Sequence, residues 1–177
     1  MSVSFVPERL DVAAFARAQA ELRGDLAPAR LERLVQECAP GSQPATPVRW
    51  TAQGEQRTGA GGQSQAWLRL QASADLPLTC QRCLQAVTVP LSVDRWFRFV
   101  ADEAAAMAED DASEEDLLVL SRRFDLIELV EDELLMAVPL VPMHEPCPTE
   151  LPRPAAGIGP EESEKPHPFA ALARLKR

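Results

Sequence analysis

From Ala66 to Cys80 every second residue is apolar: Ala66, Leu68, Leu70, Ala72, Ala74, Leu76, Leu78 and Cys80. Between them stand Trp67, Arg69, Gln71, Ser73, Asp75 and Thr79. A period of two puts alternate side chains on opposite faces of a strand, so one face meets a core and the other mostly meets water. A second run follows in the opposite phase: Cys83, Val87, Val89, Leu91, Val93, Phe97 and Phe99, alternating with Thr88, Ser92, Asp94 and Arg98. Two long strands joined by a tight turn at Gln81-Arg82 predict an antiparallel hairpin. Pro77 and Pro90 have no N–H to give to a ladder, so each is expected at an edge, bulge or bend.

The flanking segments read as helices and loops. Residues 11–22 are alanine-rich and suit a helix, with Asp11 as N-cap and Gly24 as stop. Residues 28–38 suit a second, with Pro28 in its first turn and Leu31, Leu34, Val35 and Cys38 on one stripe. Residues 40–47 are a loop, 48–54 a short strand around Trp50, and 58–63 a turn. The acidic, alanine-rich stretch 101–116 is expected to be a mobile connection, and Leu117 to Leu120 a short strand. Asp125 opens a further helix, with Glu128 placed for a capping box. Its apolar face carries Leu126, Ile127, Val130, Leu134, Ala137 and Val138; its wet face carries Asp125, Glu128, Glu131 and Asp132. Pro139 ends it. Nine prolines from Pro139 to Pro168 predict an extended tail, with a short terminal helix at 169–176.

The expected fold class is α+β: an antiparallel sheet built on the long hairpin, two N-terminal helices, one acidic helix in the C-terminal half and an irregular Pro-rich tail. Residues 1–145 are expected to form a single domain containing the acidic loop at about 101–116, and 146–177 the tail.

Composition narrows the class. Hydrophobic residues make up 46% of the 177, enough for one core, which excludes a wholly disordered chain. The longest apolar stretch, Leu134 to Met143, is short and broken by Pro139 and Pro142, so no membrane span is expected. Pro7, Glu8 and Arg9 stand where a secretion signal needs an uncharged apolar run, so a cytoplasmic location is expected. The net charge of −9 is uneven, because residues 101–150 hold fifteen acids against two bases. Such a field repels phosphate backbones and attracts basic partners. The acids Glu109, Asp110, Asp111, Glu114, Glu115 and Asp116 are either a solvated loop that aids solubility or a docking surface for a basic protein.

Chemistry concentrates in the cysteines. Cys80-Gln81-Arg82-Cys83 sits at the predicted hairpin tip with both thiols toward one face, the geometry of a zinc knuckle. His144-Glu145-Pro146-Cys147 offers a histidine and a cysteine at the same spacing beyond the helix. Together the four make a Cys3His set for zinc. The alternative is that Cys80 and Cys83 are small core residues and His144 is simply exposed. Cys38 reads as core. Thiol redox chemistry lowers one thiol's pKa at a helix N-terminus, and a pair between two strands lacks that setting. There is no Gly-rich phosphate loop, and both histidines, His144 and His167, lie among prolines. A non-enzymatic protein is expected, with a thiol-based redox or zinc-handling protein as the competing class.

Three blocks carry a resemblance. Leu78-Thr79-Cys80-Gln81-Arg82-Cys83-Leu84 resembles the cysteine signature of the bacterial large ribosomal RNA subunit accumulation protein family, YceD. The helix from Asp125 followed by Pro139-Leu140-Val141-Pro142-Met143-His144 resembles that family's acidic helix and its following proline stretch. Lys165-Pro166-His167-Pro168-Phe169-Ala170-Ala171-Leu172 with Leu175-Lys176 is similar to its ending. The blocks stand in the family's order over residues 76–177. The resemblance implies a cytoplasmic, non-enzymatic factor for 23S rRNA accumulation in large-subunit biogenesis.

An acidic chain is a poor general RNA binder. Either basic elements touch rRNA or the precursor large subunit locally, or the acidic segment holds a basic ribosomal protein or assembly factor. The second is favoured. The basic elements are Lys165, Arg174, Lys176 and Arg177, with Arg69, Arg82, Arg95 and Arg98 on the hairpin's wet face. In the tail, Lys165, Phe169, Leu172 and Lys176 are candidates for partner contact, the other reading being that the apolar ones dock on the core.

Overall fold

The alternation starting at Ala66 becomes β3 (Ser64–Thr79), and the opposite-phase run becomes β4 (Ala86–Val100). They pair antiparallel from Ala66↔Phe99 to Thr79↔Ala86. The computed structural model describes residues 4–59 and 62–148. Along the chain follow α1 (Val12–Arg17), β1 (Glu21–Leu26), α2 (Glu32–Gln36), β2 (Val48–Thr58), β3, β4, α3 (Glu103–Glu109), β5 (Asp116–Val119) and α4 (Leu126–Met136). The strands form one sheet in sequence order β1-β2-β3-β4-β5. β1 to β4 are antiparallel, whereas β5 runs parallel to β4. The class is α+β.

Both prolines sit at free edges. β2 covers β3 only as far as Ser73, and β5 covers β4 only from Phe97 onward. Pro77 and Pro90 therefore each lack a strand on one side, where a missing donor does no harm.

The apolar face of the sheet packs against α1, α2 and α4. Leu68, Leu70, Leu76, Phe15, Leu34, Leu126 and Leu134 are all almost wholly buried there. Gly54 marks the tightest contact between layers. A Cβ at that position would lie 2.7 Å from Phe15 Cδ1 and 2.8 Å from its carbonyl oxygen. A backbone oxygen cannot step aside, so Gly54→Ala is expected to destabilise by about 1–3 kcal/mol, as overpacking does. A urea midpoint equal to that of the parent would contradict this.

Several expectations need correction. The helix from residue 11 ends at Arg17, although Asp11 caps it by accepting the Ala14 N–H at 3.0 Å. Gln19 turns the chain with φ 47, and Glu21–Leu26 is an edge strand, so Gly24 is no helix stop. Gly24 lies in register with Trp50, under its indole. The second helix is a 3-10 turn at Pro28–Arg30 followed by α2. β2 runs four residues past the expected 48–54, to Thr58. The hairpin turn spans residues 80–85 instead of two residues. The stretch expected as an acidic loop holds secondary structure, because Asp102 caps α3 and a 3-10 turn follows at Asp110–Ala112.

Helix α4 starts as expected, with Asp125 accepting from the Ile127 and Glu128 N–H groups. Its polar face is not uniformly wet. Glu131 is 8% and Glu133 6% exposed. Glu131 accepts the Arg33 and Leu34 N–H groups at 2.8 and 3.1 Å and the Arg33 Nε at 3.0 Å. It thus caps α2, whose own N-cap residue, Leu31, has no side-chain acceptor. Among the described residues no helix is long and apolar enough to cross a membrane.

Candidate metal centre and acidic surface

The end of the β3–β4 hairpin forms a knuckle. Cys80 N–H donates to the Gln85 carbonyl at 2.8 Å, and Leu84 N–H returns to the Cys80 carbonyl at 2.9 Å. Leu84, directly after the second cysteine, has φ 60, a left-handed turn that brings the chain back into β4. Gln81 N–H donates to the Pro142 carbonyl at 2.9 Å, which lays the segment after α4 along the knuckle. His144 and Cys147 then meet Cys80 and Cys83. The four potential ligand atoms lie within 4.8 Å of one another.

The surroundings prepare these side chains as donors. His144 Nε2 lies 3.1 Å from the Ala86 carbonyl. A carbonyl only accepts, so in the neutral ring Nε2 carries the hydrogen and Nδ1 keeps its lone pair. Nδ1 lies 3.5 Å from Cys83 Sγ. Cys80 is fully buried. Burial pushes its thiol pKa up, but the N–H groups of Cys83, His144 and Arg82 and the His144 ring more than offset that, bringing it down to about 5. For Cys83 the Gln85 N–H pulls down, yet burial and the neighbouring Cys147 and Cys80 sulfurs hold its thiol above the ordinary value. One sulfur is readily anionic while its neighbour Cys83 resists a second charge, a tension that a shared dication removes. Three sulfurs and an imidazole match a soft, tetrahedral site, whose edges are about 3.8 Å for metal–sulfur bonds of about 2.3 Å. The cluster can hold a metal ion. Cys38 lies elsewhere, partly buried against the core.

The six acids singled out in the sequence divide into two groups. Arg98, expected on a wet face, is only 6% exposed. Its guanidinium reaches Glu115 at 2.8 Å, Glu109 at 2.6 Å and Ser113 Oγ at 2.6 Å, tying α3 and the following turn to the sheet. Arg95 pairs with Asp116 and, at 3.1 Å, with Glu133. Burial holds the Glu133 carboxyl above its ordinary range, and Arg95 pulls it back only in part. Asp110, Asp111 and Glu114 have no cationic partner among the described residues. They form the outward part of the surface.

The same pairings remove most of the expected cationic face. Arg69 makes a two-pronged contact with Asp94, at 2.8 and 2.7 Å. Of the four hairpin arginines, Arg69, Arg95 and Arg98 are engaged, and Arg82 stands exposed at the knuckle without an ion pair among the described residues. Lys165, Phe169, Leu172, Lys176 and the terminal helix at 169–176 lie outside the described residues. Sequence reading also passed over Trp67 and Trp96. Both occupy polar-phase positions of adjacent strands, a visible signal that the outward face is not purely polar.

The chain was compared with known proteins. The family model described as large ribosomal RNA subunit accumulation protein YceD matches residues 68–176. That stretch contains the knuckle, the acidic segment, α4 and the His144–Cys147 turn. A relative from Haemophilus influenzae, "Large ribosomal RNA subunit accumulation protein YceD", is 40% identical over 109 residues. The match spans 58% of this chain and 61% of the relative's length. No solved structure matches.

Proposed function

The chain belongs to the large ribosomal RNA subunit accumulation protein YceD family, and from that premise we propose that it supports 23S rRNA accumulation during large-subunit biogenesis in the cytoplasm. It does so without catalysis, by holding a basic ribosomal protein or assembly factor on its acidic surface. The observation that carries this reading is the division of the acids. Glu109, Glu115 and Asp116 are spent on Arg98 and Arg95, which gives the surface a defined shape. Asp110, Asp111 and Glu114 are left to face a partner. Exposed charges of this kind speed encounter with an oppositely charged protein and make it salt-dependent.

Zinc is the ion proposed for Cys80, Cys83, His144 and Cys147, and its role is structural. All four positions are filled by protein donors, leaving none open for a reacting molecule, as in structural zinc sites. The competing thiol-redox reading shares the lowered Cys80 thiol, but that thiol is fully buried and the pair lies between strands, whereas reactive thiols are partly exposed.

The test is capture of basic ribosomal proteins from low-salt extract, comparing the parent with an Asp110→Asn, Asp111→Asn, Glu114→Gln variant. These side chains are exposed, so the melting temperature is expected to stay unchanged. Capture is expected to fall several-fold and to fall equally when salt is raised for the parent. Capture that is indifferent to both the substitutions and salt would refute the acidic-surface mechanism.

A further inference from the structure

The sheet has a second face. β1 to β4 turn one side toward α1, α2 and α4, and the other outward. On that outward side Arg57 lies between two indoles, its guanidinium carbon 4.2 Å from the Trp67 ring centre and 4.1 Å from that of Trp96. The two rings are 6.4 Å apart at 72°. Glu55 holds Arg57 in place at 2.9 Å. The buried Trp67 Nε1 has no acceptor among the described residues.

Further down the same face is a hollow of about 480 Å³, lined in part by Arg23, Asp25, Arg49, Thr51, Gln71 and Ser73. Arg23 and Arg49 are exposed and have no acidic partner within ion-pair distance among the described residues. Thr51, Gln71 and Ser73 lie beside them in register, offering hydrogen-bond donors.

We infer that this outward face binds a single-stranded segment of RNA, with phosphates at Arg23 and Arg49 and an unpaired base stacked on the Trp67–Arg57–Trp96 platform. Resting on the rRNA-related function proposed above, this inference names the surface that touches RNA directly. The chemistry selects the occupant. A strand needs flat π surfaces for its bases and free cations for its phosphates, and both occur on this one face. A basic peptide would meet two unpaired guanidiniums against a single carboxylate, that of Asp25 in register with Arg49, so the hollow is net positive. Duplex RNA keeps its bases stacked internally and offers none to the indoles.

The acids near the platform do not cancel this. Asp94 is tied to Arg69, Glu115 to Arg98 and Asp116 to Arg95. Glu114 is the acid there without a cation among the described residues, and it stands at the platform end. Phosphates are therefore directed toward Arg49, about eight strand residues or roughly 26 Å away from Arg57 at about 3.3 Å per residue. That distance spans several nucleotides.

The experiment uses the full chain and a fluorescent uridine oligomer of about a dozen nucleotides, long enough to cross the face. Anisotropy gives affinity across a salt series, and intrinsic tryptophan emission reports stacking. Binding with quenched emission is expected at low salt. Arg23→Ala with Arg49→Ala should weaken binding about ten-fold or more and reduce the salt slope by about 1.4, the loss of two phosphate contacts to a single strand. Trp96→Leu should weaken it at least about five-fold and leave the salt slope unchanged. Melting curves confirm that each variant is folded, and Trp96→Phe, which keeps an aromatic face, should recover most of the affinity. No binding at low salt, affinity unmoved by the arginine pair, or equal quenching by an arginine-rich peptide would overturn the inference. The same variants are assayed for capture of basic ribosomal proteins. Capture without RNA binding removes this surface alone, whereas RNA binding without capture removes the acidic-surface reading alone.

Discussion

Serine at both Cys80 and Cys83 is expected to abolish metal binding and to lower the thermal midpoint by roughly 10 °C. The unpaired exposure of the segment behind the clasp explains why. Leu140 is 98% exposed, and Val141 and Met143 are more than half exposed. Little apolar burial holds residues 139–148, and Gln81 N–H to the Pro142 carbonyl is their main backbone tie to the knuckle. A bound ion joining Cys80 and Cys83 to His144 and Cys147 would supply the missing connection. A ligand at about a thousand times its dissociation constant stabilises by about 4 kcal/mol. In a chain of this size each kcal/mol moves the midpoint by about 2–4 °C. Metal analysis of freshly purified protein should return one zinc per chain, and a strong chelator should reproduce the shift seen in the variant. Retention should weaken as pH falls, since protons compete for the same sulfurs and imidazole. Protein that carries no metal and melts identically with chelator would remove the zinc site.

Replacing Arg98 by leucine is expected to cost about 2–3 kcal/mol and to release residues 101–116 from the sheet. The buried guanidinium makes three directed bonds, to Glu109, Glu115 and Ser113. Leucine fills part of the space but satisfies none of them. The loss should fall below the 3–5 kcal/mol typical of a buried charge left without its partner, because Glu109 and Glu115 are 47% and 25% exposed and return to water. Lysine at this position keeps the charge without the planar fork, so it should recover only part of the stability. Urea denaturation measures the first effect, and faster proteolytic cleavage within 101–116 the second. If neither changes, Arg98 is not what shapes the acidic surface. Released acids should also capture the basic partner less specifically, which connects this residue to the proposed function.

Much of the scaffold is legible in local patterns. The period-two run from Ala66 placed the correct face of β3 inward, and the phase reversal did the same for β4 through Phe97 and Phe99. Asp11 and Asp125 announced their helices by N-cap chemistry, which depends on neighbours three residues away. β1 escaped notice because Gly24 replaces the inward apolar residue that would have completed Leu22-x-Gly24-x-Leu26 as an alternating strand. Its reason lies across the sheet, where the Trp50 indole needs the room. The length of β2 escaped for a similar cause. Its last residues are polar and are strand only because β3 pairs with them out to Ser64.

The candidate sites divide in the same way. Spacing along the chain determined that Cys80 and Cys83 form one donor pair and that His144 and Cys147 form another, because a turn of three or four residues fixes such distances locally. Only the tertiary structure decided that the two pairs meet, since α4 must pack on the sheet before Pro142 reaches Gln81. It alone also decided the fate of the charges. Composition reveals how many acids and arginines there are. Whether Arg98 is a free cation or a buried clamp depends on which carboxylates the fold brings within 3 Å of it, and Coulomb attraction at that range outweighs anything a neighbour in sequence can foretell.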